Sequence, residues 1–266
     1  RKTFRRMKVL MLLLLGCTAY SQWAPVQQGI PGFYALPYHP QFSEVFSSVS
    51  NIASIRHHQD LNIGVAYSRF HPVPELSNRS AYISFPLDNS AVLLGINGYG
   101  FKNYQETNVQ LGYSRNLGSI VLGGRFEFSG YKIPGYAGMF SPGGTVGGIL
   151  RLSEAFYYGL QIALTASGKE SMHSNIISGC TWAVSDQVAI GGEVFHSSQW
   201  GNFIKIQLQY HPEKFLRFKT GFVPTNMFFI SATVKFSGIS VEIVLQSLTG
   251  FGNSSAIHII YNKEQQ

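Results

Sequence analysis

Fourteen short runs of alternating apolar and polar residues between Leu61 and Tyr261, turn residues between them, and a secretory leader in front predict one fold class. It is all-β: a fourteen-stranded antiparallel transmembrane up-and-down β-barrel of the bacterial outer membrane, with an N-terminal plug or cap segment. Successive side chains of a strand point to opposite faces, so alternation lets a wall one strand thick meet lipid on one side and water on the other.

Residues 1–21 have the three parts of a signal peptide. Arg1, Lys2, Arg5, Arg6 and Lys8 are followed by the apolar run from Val9 to Leu15, and Ala19 and Ser21 supply small residues before Gln22. Cleavage is expected before Gln22. The alternative is a lipoprotein signal, because Leu14-Leu15-Gly16-Cys17 places a cysteine after a small residue. If Cys17 leaves with the leader, Cys180 is the one mature cysteine and no internal disulfide forms.

Residues 22–60 do not alternate. Pro25, Pro31, Pro37 and Pro40 break the first half, and Phe42, Val45, Phe46, Val49, Ile52 and Ile55 then recur at helical spacing. An extended arm and a short amphipathic helix are expected. A fourteen-stranded lumen is too wide for its own side chains to fill, so the helix is expected to plug it, with a periplasmic cap as the alternative.

The barrel is expected over residues 61–262. In residues 203–211, Ile204, Ile206, Leu208 and Tyr210 point one way and Lys205, Gln207, Gln209 and His211 the other. In residues 119–131, Ile120, Leu122, Phe126 and Phe128 oppose Arg125, Glu127 and Ser129, and Glu242 faces inward in residues 239–245. Residues 79–85 and 174–184 carry small or apolar residues on both faces, which leaves their lipid side open.

Tight connections are expected at Asp88-Asn89, Asn116-Leu117-Gly118, Ser153-Glu154, Ser185-Asp186 and Ser237-Gly238, with longer ones at residues 71–78, 132–142 and 168–173. Short periplasmic turns and longer outer loops are the pattern of outer-membrane barrels. Tyr67, Phe70, Tyr99, Phe101, Phe128, Tyr131, Phe222, Phe236 and Tyr261 fall toward strand ends, where interfacial girdles belong. Ile257, Ile259 and Tyr261 give the last strand an aromatic finish, ahead of the tail at residues 262–266.

Composition agrees. Aromatic residues make up 14% of the chain and charged ones 12%, and mean hydropathy of +0.05 is too low for a helical membrane protein. Most of the net charge of +7 comes from the leader. Taking its five basic residues from the 20 Lys and Arg leaves 15 against 13 acidic, a net of +2, so the charge carries no argument for nucleic acid.

A lipid-facing Arg or Lys at the bilayer midplane costs about 2–4 kcal/mol, which assigns charges on the strands to the lumen. Those residues are Arg125, Glu127, Arg151, Glu193, Lys205, Arg217, Lys219, Lys235 and Glu242. Both signs occur, so an internal salt-bridge network is expected, with a polar conduit as the alternative. In the outer loop, Ile133, Pro134, Tyr136, Met139 and Phe140 form an apolar cluster that would capture a hydrophobic ligand or partner, or fold back over the mouth.

No catalytic residues, cofactor or metal site are expected. His196-Ser197 and His173-Ser174 are neighbours on a strand, so their side chains diverge. His57-His58 with Asp60 lacks the spacing of a metal site.

Several stretches carry a family resemblance. The run Phe46-Ser47-Ser48-Val49-Ser50-Asn51-Ile52-Ala53-Ser54-Ile55 leads into Asn62-Ile63-Gly64-Val65-Ala66-Tyr67. With it go residues 108–115, Leu117-Gly118, residues 215–222 and the hairpin at residues 247–252. Together they resemble long-chain fatty-acid transporter-type outer-membrane barrels, and more closely the type IX secretion accessory barrels grouped with them. The resemblance implies an outer-membrane location, lipid as the surroundings, and one of two functions. The first, favoured by balanced lumen charges and short loops, is a plugged scaffold that binds a secretion-system or surface protein partner. The second is passage of hydrophobic or small solutes across the outer membrane.

Overall fold

The computed structural model describes residues 34–263 apart from 71–72, 136–137, 168–170, 200, 225–226 and 250–251. The expected signal peptide, the first part of the arm and Tyr136 lie outside the described residues.

Fourteen strands close into one antiparallel barrel in chain order. They are β1 Asn62–Phe70, β2 Val73–Leu87, β3 Ser90–Phe101, β4 Tyr104–Asn116, β5 Ile120–Lys132, β6 Met139–Arg151 and β7 Phe156–Ser167. The other half is β8 Ser171–Ala183, β9 Val188–Ser197, β10 Gly201–Glu213, β11 Leu216–Val223, β12 Met227–Phe236, β13 Ile239–Leu248 and β14 Gly252–Asn262. β1 pairs β14 from Asn62 opposite Asn262 to Phe70 opposite Ser254, so every strand has two neighbours and no edge is left to lipid.

Period-two patterning sets the faces. Ile204, Ile206, Leu208 and Tyr210 turn outward on β10 while Lys205, Gln207 and Gln209 are buried inside, and β5 and β13 follow their expected parity. The two open cases resolve as well. On β2 Asn78, Ser80, Tyr82 and Ser84 point inward, and on β8 Ile177, Gly179 and Thr181 do.

Turn chemistry closes the terminal end of the barrel, where β1 begins and β14 finishes. Ser237 and Gly238 both have positive φ, 40° and 83°, the backbone that a two-residue hairpin between right-twisted strands needs. The far end departs from expectation. Residues 73–78 and 139–142 are strand and β8 starts at Ser171, so of the three longer loops the widest gap between strands is residues 133–138. Continued pairing satisfies backbone groups that a loop would have to hand to water.

Residues 34–58 lie within the barrel. The expected single helix is instead a 3-10 turn at Pro40–Phe42, one α-turn at Ser47–Ser50 and a 3-10 helix at Ile52–His57. Asn51 interrupts it with extended backbone, φ −150° and ψ 116°. Its side chain explains the break, because Nδ2 donates to the wall carbonyls of Gly148 and Leu160 at 3.2 Å each and Oδ1 accepts from Ala53 N at 3.0 Å. Contacts to the wall replace the next helical turn.

Glycines on the inner wall make room for this segment. A Cβ on Gly123 would sit 2.9 Å from Ala53 N, and one on Gly147 would sit 2.7 Å from Asn51 Oδ1. Outward-facing Gly144 meets nothing within 4 Å.

Candidate functional site

The inner segment is tied to the wall by buried polar groups. Glu44 Oε1 lies 2.8 Å from Lys219 Nζ and Glu44 Oε2 lies 3.1 Å from Arg217. Lys219 also reaches Glu242 Oε1 at 3.0 Å, and Glu242 accepts from Ser231 Oγ at 2.6 Å and contacts His258 Nδ1 at 2.8 Å. A second anchor is the Lys205–Glu193 ion pair, onto which Tyr38 donates at 2.9 Å. Gln161 forms a third, accepting from Ile52 N at 2.8 Å and donating to Val49 O at 3.1 Å. Arg125 donates to Ser48 O at 3.0 Å and lies 3.7 Å from Glu127.

Eight of the nine charges assigned to the lumen therefore face it, Lys235 among them in a cavity at the terminal end. Arg151 is a correction. It has inward parity but stands at the rim, half-exposed and paired with Glu154 at 3.2 Å, because β6 ends there.

The lumen is not polar throughout. Ile177, Phe195, Val223, Met227, Phe229, Val244 and Leu248 point inward and pack with Tyr34 into an apolar core. This core replaces water on the β8 to β14 side, where Tyr34 lies edge-on to Phe229 with ring centroids 5.0 Å apart.

On the β3 to β8 side the far half of the lumen stays open as a cavity of about 550 Å³. Register builds its wall in rows: Tyr99, Glu106 and Tyr131 lie across β3, β4 and β5, and Asn97, Asn108 and Ser129 form the row below. Gln110 and Glu127 form the third row, and Val49 and Ser50 of the inner segment also line the cavity. Tyr104 donates to Glu106, Gln110 Nε2 donates to Asn108 Oδ1 at 2.6 Å, and Asn108 Nδ2 donates to Ser129 Oγ at 2.9 Å. Tyr99 and Tyr131 thus belong to the chamber, a correction to their expected place in the girdle. Tyr67, Phe128, Phe222, Phe236 and Tyr261 do face outward, whereas Phe101 has the parity of Tyr99 and stands exposed at the far rim.

Sequence reasoning passed over this chamber. Tyr104, Glu106, Asn108 and Gln110 recur at period two, the signal that could have found it.

The capture cluster does not assemble. Ile133 is exposed at the far end, Tyr136 lies outside the described residues, and Met139 and Phe140 belong to β6, not to a loop. Phe140 has outward parity and is 81% exposed, beside Gly130 on the outer surface. His196 and Ser197 diverge as expected, the first exposed and bonded to Asn202 at 2.6 Å, the second buried. Among the described residues no group of three or more His, Cys, Asp or Glu could hold a metal ion.

A closed antiparallel barrel with an apolar outer surface and a hydrogen-bonded segment in its lumen is a bacterial outer-membrane β-barrel. Solved structures share the fold. The CymD monoaromatic hydrocarbon channel superposes with a TM-score of 0.58 at 11% identity, over 92% of this chain and 98% of that one. The toluene transporter TodX of Pseudomonas putida does so at 0.57 and 9%, over 90% and 97%. The outer membrane protein Omp33 of Acinetobacter baumannii gives 0.54 and 8%, over 77% and 98%. No family model matches the chain, and no curated protein matches its sequence.

Proposed function

We propose that the protein passes small solutes across the outer membrane, admitting them to the far-end chamber and releasing them past the inner segment. The observation that carries this reading is the chamber itself: about 550 Å³, within the range of small-molecule sites, and bounded below by Val49 and Ser50 of the inner segment. The hydrocarbon channels among the similar folds support passage over the expected secretion scaffold. Passage rather than catalysis fits the diverging His196 and Ser197.

The lining argues for a solute that hydrogen-bonds. A hydrocarbon offers no partner to Gln110 Oε1, and a buried polar group left unsatisfied costs about 1–3 kcal/mol. Proteoliposomes containing the intact protein should take up small solutes at a rate that saturates with concentration. Uptake equal to that of protein-free vesicles would overturn the reading.

A further inference from the structure

Resting on that reading, we propose that the chamber binds a neutral saccharide of one or two rings. The chamber guanidinium, Arg125, is already engaged, and two carboxylates, Glu106 and Glu127, stand in the same wall. Arg125 donates to Ser48 O and lies 3.7 Å from Glu127, Glu106 accepts a hydrogen bond from the Tyr104 hydroxyl, and His173 contacts Gln199 at 3.3 Å. An anionic ligand would face both carboxylates with Arg125 already taken, whereas a neutral one leaves these contacts in place.

The remaining lining has two characters. Amides and hydroxyls cover β3 to β5, and Ala163, Ile177 and Phe195 offer apolar surface on β7 to β9. A pyranose matches both, with hydroxyls around its edge and C–H bonds on its faces. Tyrosines suit the same ligand, since each joins an apolar ring to a polar tip. One atom calls for a hydroxyl donor: Oε1 of Gln110, a residue of the chamber lining, has no hydrogen-bond partner while Nε2 of the same amide donates to Asn108, and a small turn of the side chain into the cavity would bring it to one. A carbonyl oxygen of this kind accepts a ligand O–H that neither a hydrocarbon nor a carboxylate supplies.

The test uses the full chain, in detergent for calorimetric binding and in liposomes for uptake. Glucose, galactose, maltose and lactose are compared with toluene and galacturonate. At least one neutral sugar should bind saturably, and Gln110→Leu should weaken it roughly tenfold, the scale of one lost neutral hydrogen bond. Tyr131→Ala, at the mouth and away from the inner segment, keeps the test open if Gln110→Leu disturbs folding, and should also weaken binding. The proposal is overturned if no neutral sugar binds, if toluene or galacturonate binds more tightly, or if the folded variants bind sugar as the native chain does. Sugar that binds but is not taken up leaves the site standing and removes passage. Uptake without sugar binding does the reverse.

Discussion

The ammonium of Lys219 on β11 lies 2.8 Å from the Glu44 carboxylate of the inner segment, and both side chains are withdrawn from water. One ion pair thus joins the part of the chain that fills the barrel to the part that encloses it. Glu44→Gln leaves Arg217 and Lys219 with Glu242 as their nearby carboxylate. Breaking a buried pair costs about 3–5 kcal/mol, and most of that should fall on seating of the segment because the strand ladders are untouched. Planar-bilayer recordings should show higher or more frequent conductance for Glu44→Gln, with the heat-modifiable mobility of a folded barrel preserved. Native conductance would show that the pair does not hold the segment.

Sterics give an independent handle. Gly147→Leu places side-chain atoms where Asn51 Oδ1 lies, 2.7 Å from the position of a Cβ, so the segment has to shift. Gly144→Leu, three residues earlier and outward, meets nothing within 4 Å. Solute uptake should change for the first variant and stay native for the second.

Burial holds the His58 imidazole down to about 4, from an ordinary 6.5, with Glu44 working against the shift. His57 beside it is held down to about 3, by burial first and then by His58, His39 and Arg56. Both rings are neutral while the segment is seated, and a hydrated ring takes its proton near 6.5. Seating is therefore firmest above that pH and weakens as pH falls from about 6.5 toward 4. Limited proteolysis of the segment should accelerate across this window, and the double variant His57→Gln, His58→Gln should flatten the profile.

Lys205→Met strands the Glu193 carboxylate with Tyr38 in a dry site and should lower unfolding stability by about 3–5 kcal/mol, read by circular dichroism. Adding Glu193→Gln should restore much of the loss. Arg151→Ala removes an exposed pair, and a change within about 1 kcal/mol is expected.

Much of the wall was legible because its signal is local. Lys205 between Ile204 and Ile206 can turn only one way in a membrane, and Glu242 between Val241 and Ile243 likewise. Residues 79–85 were not legible. Tyr82 faces inward because Phe46 waits there, rings edge-on with centroids 5.8 Å apart, and no pattern within β2 announces that partner. Helical spacing from Phe42 to Ile55 correctly marked a segment with apolar contacts to make, but Asn51 breaks the helix for two carbonyls about a hundred residues away in the chain. The chamber residues of β4 were readable as a polar stripe, and the register that sets Tyr99 and Tyr131 on either side of Glu106 was not.

By itself the sequence determined a membrane barrel, its strand number and the lipid side of most strands, since alternation is a property of neighbouring residues and the cost of a charge in lipid decides its direction. Tertiary structure alone decided which half of the lumen fills with apolar side chains, which half stays open, and how residues 34–58 are held. Those outcomes depend on contacts such as Glu44 with Lys219, made between groups that only closure of the ring brings together.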